Sequence, residues 1–474
     1  MNKILTNLFW KFGERISSQL VTFIVSIVLG RLLSPDVYGE IALVTVFITI
    51  AEVFAISGFG NALIQKKDAD NVDFSSVLYF NFIFSIALYL IIYFFAPYIA
   101  DFYGIDSLIP VLRVLSLRIP IASINSVQQA YVSKNMMFKK FFYSTLFGTL
   151  FSGIVGIVMA YSGYGIWALV GQYLFNTIVN TIVLWFIVDW RPKLVFSWKR
   201  LTALISYGWK LLVSSLLDNG YNQLTSLVIG KKYSSSDLAF YNRGQQYPQL
   251  VIVNINSSIS SVLFPAIAQN QDNLSVVKSM TRRAIKTSSY IMWPLMIGLI
   301  IVSKPLISFM LTDKWLPCVP YLQIACFTYA FWPIHTANLE ALKAIGRSDI
   351  FLKLEIIKKT VGILLLMFSM NYGVMVIAVS QIISTFISCF INAYPNQKLL
   401  NYKYIDQMKD MIPGFFLACI MGGIISPISL VIKNNVLLII VQVFSGGIIY
   451  LLLSKVFNLE SFTYLINTIR RQRN

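Results

Sequence analysis

Charge is what this chain has least of. Asp, Glu, Lys and Arg make up only 12% of its 474 residues, against about 25% in soluble domains. So little charge cannot clothe a water-soluble surface of this size. Histidine is scarcer still: the single His335 excludes a multi-histidine metal centre. The four cysteines, Cys318, Cys326, Cys389 and Cys419, form no close Cys-x-x-Cys pair. Neither a zinc site nor a disulfide framework is expected from them. The chain also lacks a phosphate-cradling Gly-x-x-x-x-Gly-Lys loop and a Gly-x-Ser-x-Gly elbow, which argues against direct ATP hydrolysis and against serine-hydrolase chemistry. Asp68-Ala69-Asp70 has the carboxylate spacing of a glycosyltransferase metal site. It stands alone in a short charged loop with no nucleotide-binding domain around it, and reads as a solvated turn. No catalytic residue, no metal site and no resident cofactor is expected.

What the chain does have is apolar length. It is 57% hydrophobic with a mean hydropathy of +0.70, and its apolar runs are long and do not alternate. That pattern fits helices of roughly 20 residues crossing a bilayer, and not barrel strands of about 10. Fourteen spans are expected, at approximately 13–33, 38–64, 75–100, 108–133, 142–162, 164–188, 206–230, 236–265, 286–311, 318–342, 351–371, 373–394, 411–432 and 435–457. No small-residue cleavage site follows the first run, so it reads as a retained span and not a signal peptide. Lys and Arg gather in alternate connections, among them Lys66 and Lys67, Lys134 to Lys140, Arg191 to Arg200, Lys278 to Lys286, and the tail with Arg470 and Arg471. The rule that cytoplasmic loops carry the basic residues then places both termini in the cytoplasm. The net charge of +18 becomes an inner-leaflet feature that meets anionic membrane lipid, with no nucleic acid as partner.

The chain also repeats itself. Ser-Ile-Val-Leu-Gly-Arg at 26–31 returns as Ser-Leu-Val-Ile-Gly-Lys at 226–231. Trp10-Lys11 precedes the first copy and Trp209-Lys210 the second. Tyr164-Gly165 with Gln172 is echoed by Tyr372-Gly373 with Gln381. A period of about 200 residues is a half-protein and not a solenoid unit. The expected fold is an all-α polytopic membrane protein of two parallel six-helix lobes plus two C-terminal helices. Residues 1–188 form the first lobe and 189–205 a cytoplasmic amphipathic linker, expected to hold an interfacial helix. Residues 206–394 form the second lobe, and 395–474 the added helices and basic tail. An even number of spans sets both lobes the same way up, so substrate is expected between them.

Polar residues inside the spans mark the candidate site, because a charge at a span centre costs on the order of 2.5–3.5 kcal/mol. Thr45, Thr49 and Glu52 share a face of the second span; Arg118, Asn125 and Gln129 share one in the fourth, with Arg113 nearby; Ser215, Asp218, Asn222 and Ser226 share one in the seventh. The eighth carries Asn242, Arg243, Gln245, Gln246 and Gln249, and the tenth His335, Asn338 and Glu340. The second and eighth spans, and the fourth and tenth, are equivalent in the repeat. The substrate-binding candidates are Arg15, Arg113, Arg118, Asn125, Gln129, Asn222, Asn242, Arg243 and Gln246. The ion-coupling candidates are Glu52, Asp218 and Glu340. Bland readings stand beside these: Arg113 fits snorkelling to the outer interface, Glu52 and Asp218 fit pairing with neighbouring arginines, His335 fits a hydrogen-bonded helix contact, and the amides fit interhelical glue.

Four stretches carry a resemblance: Leu29-Gly30-Arg31-Leu32-Leu33-Ser34-Pro35, Gly58-Phe59-Gly60-Asn61-Ala62-Leu63-Ile64-Gln65-Lys66-Lys67, Leu112-Arg113-Val114-Leu115 and Tyr164-Gly165-Ile166-Trp167-Ala168-Leu169-Val170. With them the chain resembles the polysaccharide-transport branch of the multidrug/oligosaccharidyl-lipid/polysaccharide flippase superfamily, nearest the colanic-acid-type repeat-unit exporters. The resemblance implies a twelve-helix core in two lobes with two added helices. It implies flipping of undecaprenyl-pyrophosphate-linked oligosaccharide across the bacterial plasma membrane by alternating access, coupled to a Na+ or H+ gradient. A polysaccharide polymerase and glycosyltransferases are its implied working partners. A drug exporter and a peptidoglycan-precursor flippase of the same superfamily are the rival expectations.

Overall fold

The computed structural model describes residues 3–56 and 59–473; Gly58, in one of the motifs above, lies outside them. Among the described residues there are helices and no strands. Backbone groups bathed in lipid must be satisfied within their own segment, which selects the helix. In chain order the helices are α1 (Lys3–Leu32), α2 (Pro35–Ile56), α3 (Phe59–Gln65), α4 (Asn71–Tyr103), α5 (Leu108–Leu115), α6 (Arg118–Lys134), α7 (Phe138–Tyr161), α8 (Ile166–Ile187), α9 (Trp198–Lys232) and α10 (Ser235–Ala268). Then come α11 (Leu274–Leu311), a 3-10 turn (Asp313–Cys318), α12 (Val319–Tyr329), α13 (Trp332–Ala344), α14 (Ser348–Ser369), α15 (Val374–Leu399), α16 (Tyr404–Ile425), α17 (Ile428–Val431), α18 (Asn435–Val456) and α19 (Glu460–Arg473).

Helices occupy all fourteen expected positions, and eleven spans among the described residues are long and apolar enough to cross a membrane. The other three positions are α9, the pair α12 and α13, and α14. Lys210 and Asp218 interrupt the first, Gln323, His335 and Asn338 lower the hydropathy of the second, and Lys353, Glu355, Lys358 and Lys359 dilute the third. The repeat shows in where the chain breaks. The fourth span divides at Ser116-Leu117, ahead of Pro120, and the tenth divides at Ala330-Phe331, ahead of Pro333. Proline cannot donate to the preceding turn, so each break falls beside one.

The chain forms two compact units, residues 1–239 and 240–474. In the first, α1 packs on α7, α7 on α8, α6 on α2, α4 and α8, and α9 on α2, α3 and α4. In the second, α11 is the spine against which α12, α13, α16 and α18 pack.

The stretch 189–205 corrects one expectation. It holds no separate interfacial helix: residues 188–197 form no regular element, and α9 then runs unbroken for 35 residues. The reason is local. Trp190 is buried, at 6% exposure, in a core with Phe74, Val77, Val127, Leu184 and Leu201, and its indole donates to Asn71 Oδ1 at 2.9 Å. The backbone amides of Lys193 and Ser197 donate to the hydroxyls of Ser75 and Ser76, at 3.0 and 2.9 Å, so α4 supplies the partners that a helix would have supplied. Asp70, expected as part of a solvated turn, caps α4 in a reciprocal capping box with Asp73 and pairs with Arg200 at 2.5 Å. The Arg200 guanidinium holds the Asp70 carboxyl down at about 2. Its contribution is therefore complete at neutral pH and is lost only as pH falls through that value.

Candidate functional site

In the first unit the polar residues converge where α2, α6 and α8 meet. Arg118 is the first residue of α6, set at the break in the fourth span. One guanidinium nitrogen lies 3.3 Å from Glu52 Oε1 on α2, and the two side chains are 22% and 16% exposed. Its Nε donates to Thr177 Oγ1 on α8 at 3.2 Å, and its Cζ stands 5.8 Å from the centre of the Tyr173 ring. Planar, permanently charged and able to bond in several directions, arginine suits such a junction. Two turns further along α6, Asn125 Nδ2 donates to Asn180 Oδ1 at 3.2 Å, while Asn125 Oδ1 is buried without a hydrogen-bond partner. Asn176 Nδ2 donates to Ser152 Oγ at 3.3 Å.

In the second unit Arg243 on α10 is buried, at 5% exposure. Its Nη1 donates to Gln246 Oε1 at 2.8 Å, and its Cζ lies 4.9 Å from the Trp315 ring, itself fully buried in the 3-10 turn. Gly244 makes this approach possible. A Cβ there would stand 2.7 Å from Tyr321 Cβ, 2.8 Å from Leu322 N and 2.9 Å from Cys318 O, so only glycine lets α10 lie against the start of α12. Tyr329 donates its hydroxyl to Gln245 Oε1 at 2.8 Å.

The other expected residues are dispersed. Arg15 is exposed on α1, and Asp218 and Asn222 are exposed on α9. Gln129 on α6 and Asn242 on α10 are half-buried. Arg113 on α5 is held by α4: Nε donates to Tyr93 O at 3.3 Å, and its guanidinium lies 4.4 Å from the Tyr93 ring. Glu340 pairs with Lys343 one turn along α13, at 3.2 Å. His335 joins α13 to α15, with Nδ1 2.9 Å from Asn392 Nδ2 and Nε2 3.5 Å from Cys389 Sγ.

Beside that histidine is a dry amide cluster. Asn338, Asn396 and Gln407 are each 0% exposed. Asn338 Nδ2 donates to Gln407 Oε1 at 2.7 Å, and Asn396 Nδ2 donates to Asn338 Oδ1 at 2.7 Å. Replacing Asn338 by Leu strands Gln407 Oε1 and leaves Asn396 Nδ2 only its bond to the residue 338 carbonyl at 3.2 Å, at about 1–3 kcal/mol for a buried group left unpaired. The purified variant is expected to melt well below the wild type in a thermal-shift assay. An unchanged melting temperature would show that the cluster is not holding α13, α15 and α16 together.

Thr177, Asn180, Trp315, Asn392, Asn396 and Gln407 are not among the residues expected from the sequence. A signal existed for the sixth span, where Asn176-Thr177 and Asn180-Thr181 recur four apart on one helical face. None existed for Trp315, which meets Arg243 from 72 positions away.

Comparison with known proteins gives the context. Residues 28–320 match a family described as "Polysaccharide biosynthesis protein". The chain is 27% identical to the teichuronic acid biosynthesis protein TuaB of Bacillus subtilis over 303 residues, 63% of this chain and 62% of that one; the match thus spans less than two thirds of that relative. It is 22% identical to the lipopolysaccharide biosynthesis protein WzxC of Escherichia coli, over 70% of this chain and 68% of that one. Among solved structures it shares its fold with the lipid II flippase MurJ in an inward closed conformation, with a TM-score of 0.78 at 16% identity over 95% of this chain and 98% of that one. An inward-facing multidrug transporter of the MOP superfamily matches with a TM-score of 0.64 at 15% identity, over 82% and 98%.

Proposed function

The chain belongs to the polysaccharide biosynthesis protein family, and from that premise we propose that it moves polyprenyl-pyrophosphate-linked oligosaccharide repeat units across the bacterial plasma membrane. It is a multi-pass membrane protein with the fold of flippases and transporters. One observation supports this cargo above others: each unit holds an arginine inside helices that lipid should bathe, Arg118 beside Glu52 and Arg243 over Trp315. A permanently charged fork that bonds two oxygens at once suits a pyrophosphate.

In this reading both termini are cytoplasmic, and Asn125, Gln129, Asn222, Asn242 and Gln246 bond sugar hydroxyls, with Arg15 and Arg113 drawing in the anionic head. The incoming pyrophosphate competes with Glu52 for Arg118. A cation taken by Glu52, H+ or Na+, removes the competitor and so binds the two states unequally, which is the condition for coupling. Asp218 and Glu340 are the further coupling candidates. The protein supplies no bond-making step, and the glycosyltransferases and polymerase on either side of it do the chemistry.

A strain lacking this protein is expected to lose surface polymer and to accumulate the lipid-linked repeat unit. Wild-type protein restores both. Arg243→Ala is expected to reach the membrane in normal amount and restore neither. Normal polymer from that variant would remove Arg243 from the mechanism, and efflux of small cations without effect on polymer would favour a drug exporter.

A further inference from the structure

The second unit contains a cavity of about 470 Å³ whose walls are almost wholly apolar. It lies between α10, α11, α16 and α18, with Val251, Gly298, Met421, Val443, Gly447 and Leu451 on its surface. None of the arginines or amides of the candidate site lines it. The two tyrosines beside it have their polar ends turned elsewhere. Tyr290 donates its hydroxyl to Ser454 Oγ at 2.9 Å, and Tyr450 donates to Tyr290 O at 2.8 Å. What they present to the cavity is ring surface. Gln442, the other polar side chain on its wall, donates its Nε2 to Ile425 O at 3.2 Å.

The cavity's length and one charge indicate its occupant. Val443, Gly447 and Leu451 follow one another at four-residue intervals, so they form a single stripe on α18. The next residue on that stripe is Lys455, exposed at the helix end and in no ion pair among the described residues. From Val443 to Lys455 the helix rises about 18 Å at 1.5 Å per residue. That is close to one leaflet, half of a hydrocarbon core about 30 Å thick. An anionic headgroup at Lys455 would therefore have its tail in the cavity and end near the bilayer midplane. We propose that this cavity seats one acyl chain of an anionic membrane phospholipid whose phosphate is held by Lys455. The volume lies within the roughly 300–1,000 Å³ range of pockets for small ligands. It suits a single acyl chain. Such a lipid fills the seam between the spine helix α11 and the added helices α16 and α18, so the bilayer itself completes this part of the fold.

The cavity can be filled without disturbing the backbone. An added Cβ at Gly298 or at Gly447 meets nothing within 4 Å. The test is native mass spectrometry of the full chain released from membranes containing phosphatidylglycerol, for wild type, for Gly298→Leu with Gly447→Leu, and for Lys455→Gln. Wild type is expected to retain one tightly held phosphatidylglycerol, and the double leucine variant to lose it while keeping its helical circular dichroism. Lys455→Gln is expected to lower retention about fivefold, the effect of one lysine near an anionic headgroup. Equal retention by the leucine variant overturns the proposal. So does displacement of the phospholipid by an equal concentration of undecaprenyl phosphate, which would assign the cavity to the transported lipid. Retention is measured without transport, so its result is independent of the flippase reading.

Discussion

Arg118→Ala is expected to abolish polymer export and to lower stability by about 2–3 kcal/mol. The two losses have different origins. Removing one member of a fully buried ion pair costs about 3–5 kcal/mol because the other charge is left uncompensated. Arg118 and Glu52 keep 22% and 16% of their side chains exposed, which screens part of that cost. The Thr177 hydroxyl also loses its donor. A second variant separates stability from function. Arg118→Met with Glu52→Met removes both charges together, and pairs replaced in this way are often neutral or even stabilising. The double variant is therefore expected to recover most of the lost melting temperature and none of the export. Glu52→Gln alone leaves Arg118 in place and frees it from its competitor. It is expected to bind the anionic lipid-linked cargo more tightly and to turn over more slowly. Full export by the double methionine variant would mean that Arg118 serves the fold and not the cargo.

The second large effect is steric. In the first unit Gly39 on α2 lies directly against the start of α10, and an added Cβ would stand 1.8 Å from Ser235 O, 2.3 Å from its carbonyl carbon and 2.7 Å from its Cα. All three are backbone atoms, so no side-chain rotation relieves the clash. Close backbone approach at small residues is a main source of helix association in membranes, where no hydrophobic effect drives it. Beside this contact Ser236 donates its hydroxyl to Asp36, and Lys231 donates to Phe102 O with its Nζ 4.2 Å from the Phe102 ring. Gly39→Ala would push these elements apart. A cost of about 3 kcal/mol or more is expected, at the upper end of overpacking effects, read as a sharp loss of monodisperse protein in fluorescence-detected chromatography. Gly230→Ala provides the internal comparison. Its Cβ would meet Leu43 Cδ2 at 2.2 Å, but that atom ends a flexible side chain, so the effect should be much smaller. Equal yields for the two variants would contradict the reading that backbone contact at Gly39 sets the packing of α2.

How much of this was legible in the sequence depends on range. Apolar run length put a helix at each of the fourteen expected positions, because that signal lies within a few residues of what it determines; it gave no sign of the polar α19 or of the breaks ahead of Pro120 and Pro333. The Glu52–Arg118 pairing was half legible: helical spacing put each on the polar face of its span, but not their 3.3 Å contact. The segment 189–205 was misread because its tryptophans suit a membrane interface equally well. Trp198 is indeed 59% exposed, whereas Trp190 is 6% exposed, and the difference comes from Asn71, Ser75 and Ser76, more than a hundred residues away. The same holds for the amide cluster. Asn338 could be flagged from its span, but Gln407, which completes the cluster, sits in the first turn of a helix nearly seventy residues later. Position along one helix is written locally; partnership between helices is not.

The most direct measurement follows the cargo itself. Inverted membrane vesicles from the deletion strain, loaded on their exposed cytoplasmic face with radiolabelled lipid-linked oligosaccharide, are assayed for the label that becomes protected from a membrane-impermeant glycosidase. With wild-type protein the protected fraction is expected to rise with time, and with Arg118→Ala or Arg243→Ala it is expected to stay at the level of vesicles without the protein. Protection that rises equally in all four samples would contradict a flippase acting through these two arginines.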